Sequence, residues 1–160
     1  MGTRQSLIAL AVSLGLPLLA GGVGAAVTVP ALAPWYADLA KPAWTPPAGV
    51  FGPVWTLLYL AMGLASWLVW RQGWRRHEVR RALLLLAGQL VLNLLWSIFF
   101  FGLRAPGLAF LDIMLLWIAL AAALTYTRQV SGLGTALLVP YLGWVSFAGA
   151  LNAAVWYLNR

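Results

Sequence analysis

The side chains able to carry acid–base or nucleophilic chemistry in this chain are few and scattered. There is one histidine, His77, there are three carboxylates, Asp38, Glu78 and Asp112, and there is no cysteine. They fall in separate segments, so no HExxH zinc pattern, glycine-rich phosphate loop or Ser/His/Asp set can be assembled from their spacing. Without cysteine there is no disulfide, no thiolate nucleophile and no Cys-ligated zinc. This inventory argues against hydrolase, kinase and metalloenzyme chemistry, and no metal site is expected. What the chain holds in quantity is indole: ten tryptophans, beside five tyrosines and six phenylalanines.

Spacing sorts these aromatics. Trp67, Trp70 and Trp74 flank a basic run, and Trp156 lies near the C-terminal end, as expected of interfacial anchors. Trp55, Trp96, Trp117 and Trp144 fall deeper in apolar stretches. Trp55 and Tyr59 are four apart, as are Trp144 and Ala148, so each pair presents one helix face. Gln89 and Asn93 also share a face, which Trp96 and Ser97 continue. The last apolar stretch adds Ser146, Asn152 and Asn159. Two readings of Gln89, Asn93 and Asn152 stay open. They are either ties between helices, at about 0.6 kcal/mol per bond in a membrane, or ligand-orienting groups on a cavity wall. Asp112 is expected near the membrane edge, hydrated or paired with Arg104, and it lacks the further carboxylates or histidines of a proton relay. Indoles, a few amides and little charge suit a large, flat, mostly apolar ligand better than an ion.

The elements that must position these groups are membrane spans. The 160 residues are 63% hydrophobic and 8% charged, against roughly 45–50% and 25% in soluble domains. A small domain has too much surface to carry that composition in water. A span needs about 20 mostly apolar residues. Five stretches qualify, at about 6–29, 50–70, 81–102, 107–127 and 133–157. Each must be helical, because unpaired backbone groups cannot face lipid. The expected fold is all-α, a five-helix transmembrane bundle forming a single domain over 1–160. The basic start Met1–Arg4 precedes an apolar run longer than the roughly 7–15 residues of a signal-peptide core, which predicts an uncleaved first span. Short links at 103–107 and 128–132 make neighbouring helices antiparallel.

The net charge of +7 comes mostly from arginine, concentrated in RQGWRRHEVRR at 71–81. The positive-inside rule accounts for that run, so nucleic acid is not an expected partner. For a bacterial inner membrane the rule places the N-terminus inside and the first loop outside; inner and outer membrane remain alternatives. Small-residue pairs at Gly21/Ala25, Gly22/Ala26, Ala61/Ala65 and Gly149/Ala153 permit close approach within the bundle or between two copies. The first connection stands apart. At about 20 residues it is long enough to be functional or disordered, and its stretch WYADLAKPAWTPP, at 35–47, is too aromatic for disorder.

The run WYADLAKPAWTPPAGVFGPVWTLLYLAMG resembles the signature of the translocator protein family, also called tryptophan-rich sensory proteins or peripheral-type benzodiazepine receptors. The resemblance continues in GQLVLNLLWSIFFFG, in the LD at 111–112 and in LLVPYLGWVSFAGALN, and it points to a bacterial member. It implies five helices whose first loop caps a ligand pocket, stiffened by Pro42, Pro46 and Pro47. It also implies homodimers, and ligands that include protoporphyrin IX, haem, sterols and synthetic isoquinoline carboxamides or benzodiazepines, with no required cofactor.

Carried over by motif, the pocket would include Tyr36, Trp44, Phe51, Trp55, Tyr59, Asn93, Trp96, Trp144, Ala148 and Leu151, with Lys41 or Arg104 near a porphyrin's propionates. The small side chain at Ala148 leaves room for a ligand that a larger one would displace. Trp55 and Trp144 stand where some bacterial relatives are linked to light-dependent porphyrin breakdown, which makes a degrading enzyme one alternative. A stress-response protein acting on a partner through the 71–81 loop is another. Ala153 occupies the place of a tyrosine in the sterol-recognition stretch of animal members, and Leu108 that of a tryptophan. The resemblance therefore favours porphyrin over sterol as ligand.

Overall fold

The computed structural model describes residues 3–160; Met1 and Gly2, and with them part of the basic start, lie outside the described residues. Helix α1 covers Thr3–Ala31 and continues through a kinked turn at Leu32–Tyr36. Helix α2 covers Ala48–Trp70, α3 His77–Ser97 with a widened last turn at Ile98–Gly102, α4 Pro106–Arg128 and α5 Gly132–Leu158. All five are long and apolar enough to cross a membrane, and no strand occurs among the described residues. The chain is a multi-pass, all-α membrane bundle, as its composition requires.

Local signals set the boundaries. Pro106 opens α4, where a missing N–H costs nothing. Ser131 caps α5, its hydroxyl accepting from the Gly134 N–H at 3.1 Å. The kink in α1 falls at Ala33, driven to an extended φ of −134° and ψ of 131° by the proline that follows it. Gly73, at a φ of 108°, turns the basic connection in a conformation that favours glycine. That connection is shorter than the sequence suggests, because α3 already begins at His77 and takes Arg80 and Arg81 into its first turns.

Helix α4 packs against α3 and α5, α2 against α5, and α1 against α2 and α3. The core runs through Leu58, Met62, Ala65 and Val69 of α2, Leu116 and Leu120 of α4, and Leu138 and Tyr141 of α5. Leu7, Leu19, Val29, Leu84 and Leu115 point outward, as lipid-facing side chains should. Helices α1 and α2 meet through glycine. A Cβ at Gly63 would stand 2.7 Å from the Ser13 carbonyl oxygen and 2.8 Å from Leu14 Cα, and one at Gly21 would fall on the Tyr59 ring.

Two expectations need correction. The first connection is residues 37–47 and not about 20 residues, because α1 carries on past the expected end at 29 to Tyr36. The helix runs past Pro30, is interrupted at the extended Ala33 before Pro34, and helical turns resume beyond it. Asp112 is not paired with Arg104 and turns into the bundle. It is 5% exposed, with Oδ2 buried and without a partner, because its position on α4 turns inward with Ala109, Ile113 and Leu116. Arg104 instead lies over the Trp35 ring, 6.0 Å from its centre.

The glycine contact at Gly63 is to backbone, which cannot swing aside. Gly63→Ala should cost about 1–3 kcal/mol, the usual range for overpacking. Thermal unfolding in detergent checks this, with Gly22→Ala as the control, since a Cβ there meets nothing within 4 Å.

Candidate functional site

A cavity of about 510 Å³ lies between α1, α2, α3 and α5, on the half of the bundle nearer the first connection. Its volume falls within the usual range for sites that enclose a small organic molecule, roughly 300–1,000 Å³. Its aromatic wall is Tyr36, Phe51, Trp55, Tyr59, Trp96, Phe100 and Phe101. No lining residue is charged.

Each wall has a local cause. Helix α2 contributes Phe51, Trp55 and Tyr59 at four-residue spacing, so they stack along one face. Trp55 lies on Tyr59 with ring centres 5.6 Å apart and planes at 28°, and meets Tyr141 edge-on at 6.2 Å. The two kinked helix ends supply the rest. The turn at 32–36 carries Trp35 and Tyr36, and the turn at 98–102 carries Phe100 and Phe101. Their rings interlock at 5.6–6.3 Å between centres. Trp96 stacks on Phe100 at 5.3 Å. Helix α5 closes the back with Ala148, Leu151, Asn152 and Val155.

The buried polar groups form two sets. Tyr59 donates its hydroxyl to Asn93 Oδ1 at 2.6 Å, Asn93 Nδ2 donates to the Tyr141 hydroxyl at 3.2 Å, and Tyr141 donates to Gln89 Oε1 at 2.8 Å. Gln89 Nε2 ends the chain on the Leu86 carbonyl at 2.9 Å. In the second set the Trp96 indole donates to Asn152 Oδ1 at 2.9 Å, and Asn152 Nδ2 donates to the Pro106 carbonyl at 2.8 Å. Asn93 and Asn152 therefore line the cavity while both their amide ends bond to protein. Of the two readings open for these amides, their hydrogen bonds follow the tie between helices. Gln89 lies outside the lining altogether.

Of the sequence-derived site residues, Tyr36, Phe51, Trp55, Tyr59, Asn93, Trp96, Ala148 and Leu151 come together on this cavity. Trp44 and Trp144 do not. Trp44 is half exposed and sits edge-on to Phe147 at 5.8 Å. Trp144 stands behind Phe51 at 5.8 Å, with its ring N–H buried and unpartnered. Lys41 is occupied too: its ammonium donates to the carbonyls of Tyr36, Ala37 and Leu39 at 2.6, 3.0 and 2.8 Å and so caps the end of α1. Trp117, read as deep, faces outward and donates to Ser146 at 2.8 Å.

Sequence reasoning missed Tyr141, which joins the polar chain. Its signal was its position two turns before Ala148, on the same face. It also missed Gly24, whose lack of a side chain brings α1 against Ser97; Gly21, read as a close-approach residue, brings α1 against Tyr59.

The first connection caps the bundle end by two devices. Leu39 packs into the cluster around Phe100, Leu151 and Val155. Asn159, just past the end of α5, clasps the Ala40 backbone from both sides, accepting its N–H at 3.0 Å and donating to its carbonyl at 2.9 Å.

Comparison with known proteins gives a consistent picture. The TspO/MBR family profile matches residues 13–158. The chain is 42% identical over 156 residues to the tryptophan-rich protein TspO of Chlorobaculum tepidum, covering 98% of this chain and 99% of that one. It is 42% identical over 146 residues to the translocator protein of Bos taurus, covering 91% and 86%. It is 37% identical over 125 residues to the tryptophan-rich sensory protein of Cereibacter sphaeroides, covering 78% and 77%.

Removing the Tyr141 hydroxyl leaves Asn93 Nδ2 and Gln89 Oε1 without their partner. An orphaned buried group costs about 1–3 kcal/mol in water-soluble proteins, and hydrogen bonds in membranes average nearer 0.6 kcal/mol. Tyr141→Phe should therefore lower stability by about 1–2 kcal/mol in a denaturing-detergent titration, and Tyr157→Phe, on the exposed end of α5, should leave it unchanged.

Proposed function

Because the chain belongs to the TspO/MBR family, we propose that it is a membrane receptor whose aromatic cavity holds a porphyrin such as protoporphyrin IX or haem. The observation that carries this reading is the wall itself. Seven aromatic rings line a space of about 510 Å³ with no charged lining residue among the described residues, which suits a broad apolar ring system held by stacking and burial. The amides are already engaged, so shape and apolar contact would supply the affinity. A porphyrin's propionates would stay at the capped end, on the side of Arg104, since three carbonyls already hold the Lys41 ammonium, while its macrocycle enters between Trp55 and Trp96. The names of the relatives, one a sensory protein and one a translocator, support sensing or efflux as the use of that binding.

A second reading is light-driven breakdown of the bound porphyrin. It draws on Trp55, which lies in the wall and stacks on Tyr59. Trp144 stands behind Phe51, so on this geometry Trp55 would carry the greater part.

Titration of the detergent-solubilised protein with protoporphyrin IX in the dark tests the first reading. Tryptophan fluorescence, corrected for inner-filter absorption, should be quenched saturably. Trp55→Phe should reduce the amplitude, and Ala148→Leu should weaken binding at least tenfold by filling the cavity. Trp144→Phe should change the midpoint least. Quenching that never saturates in folded protein overturns porphyrin binding. Illuminating the saturated complex in air then tests the second reading: loss of porphyrin absorbance that vanishes in Trp55→Phe supports it.

A further inference from the structure

Helices α1 and α2 are pinned together at Gly63 and again where Gly21 meets the Tyr59 ring. Beyond that second contact, toward the first connection, they part. Gly22 of α1 and Gly49 and Gly52 of α2 all line the cavity, all are exposed, and a Cβ on any of them would meet nothing within 4 Å. The back of the cavity is the opposite. Asn93, Phe100, Ala148, Leu151, Asn152 and Val155 are all buried. The same cavity therefore has a closed rear on α3 and α5 and an uncovered front between α1 and α2.

The α1 residues above and below the gap, Leu18 and Val29, are 40% and 63% exposed and wholly apolar, the character of a helix face turned to hydrocarbon. The end of the bundle is shut by comparison. The connection is tied to α5 by the Asn159 clasp on Ala40, and Lys41 holds three carbonyls at the end of α1.

We propose that the slot between Gly22 on α1 and Gly49 and Gly52 on α2 is a lateral portal, through which apolar ligands enter the cavity from the hydrocarbon of the membrane. It deepens the receptor reading above, on which it rests for the identity of the cargo. The ligand class it implies is a molecule dissolved in the acyl-chain region. Such a molecule arrives edge-first, since the two lips carry no side chains at those three positions, and the clasped connection need not open.

The absence of cysteine makes this measurable without a porphyrin. Ser97 lines the cavity, and Ser97→Cys supplies the protein's single thiol. In liposomes, N-dodecylmaleimide dissolved in the bilayer should label that thiol. Adding Gly22→Leu and Gly52→Leu should slow the labelling at least tenfold. Adding Gly88→Leu, on an exposed part of α3 where a Cβ also meets nothing, should not. Asn159→Ala, which releases the clasp, should also leave the rate unchanged. Leucine at an uncrowded helical glycine favours the helix, and circular dichroism verifies folding; if the double variant fails there, Gly52→Leu alone serves.

An unchanged rate in the folded lip variant overturns the portal, as does a thiol that reacts only after denaturation. Acceleration by Asn159→Ala assigns the route to the connection instead. Because the readout is labelling, a negative porphyrin titration would sink the cargo and leave this result standing.

Discussion

Tyr59 makes three contacts at once, and the cavity depends on all of them. Its hydroxyl donates to Asn93 at 2.6 Å and so enters the polar chain that joins α2, α3 and α5. One face of its ring carries Trp55, and its edge receives α1 at Gly21. In hydrocarbon an unpaired hydroxyl or amide has no water to turn to, so this chain must close on itself, and closing it sets the spacing of three helices. The space above Tyr59 is what remains when α1 is held off by a ring and the other helices are held together by amides.

The other boundary is made by imperfect helices. α1 and α3 both end in turns that depart from regular geometry, one at an extended Ala33 before proline, the other a wide turn through Ile98–Gly102. A regular last turn would carry the aromatic residues around the helix; these turns deliver Trp35, Tyr36, Phe100 and Phe101 into one cluster. The cluster then gives the connection something to sit on, through Leu39, while the Asn159 clasp aligns its backbone. Order in the connection thus follows from packing and two hydrogen bonds, with the prolines limiting the conformations lost.

The five spans were legible in composition because the bilayer leaves the backbone no alternative, and three of them lie within about two residues of the apolar limits at both ends. The end of α1 was not, since the helix runs past Pro30 and helical turns resume after the break at Ala33. Face-sharing at three- and four-residue spacing correctly grouped Trp55 with Tyr59, and Asn93 with Trp96, whereas Phe51 came only from the family resemblance. Spacing could not separate Trp55 from Trp144. Both sit mid-span among apolar residues, yet one lines the cavity and the other stands behind Phe51; rotation of α5 about its axis decides, and no one-dimensional pattern records it. Asp112 was misplaced for the same reason: depth was readable from its distance to Pro106, whereas the inward turn of its face was not.

The accounting of polar groups bears on selectivity. A site rejects close analogues strongly when its own buried donors and acceptors would be orphaned by the wrong ligand. Here both amide ends of Asn93 and of Asn152 are already bonded within the protein before any ligand arrives, so an ill-matched guest leaves neither amide end without a partner. The apolar part of the wall discriminates by fit, worth about 1–3 kcal/mol per misplaced methylene-sized group. On the receptor reading proposed above, such a cavity would tolerate a range of flat, apolar molecules that share thickness more than functional groups. Selectivity then shifts to what reaches the cavity at all, and a wall of glycine facing hydrocarbon sorts molecules by whether they dissolve in the membrane and how thin they are.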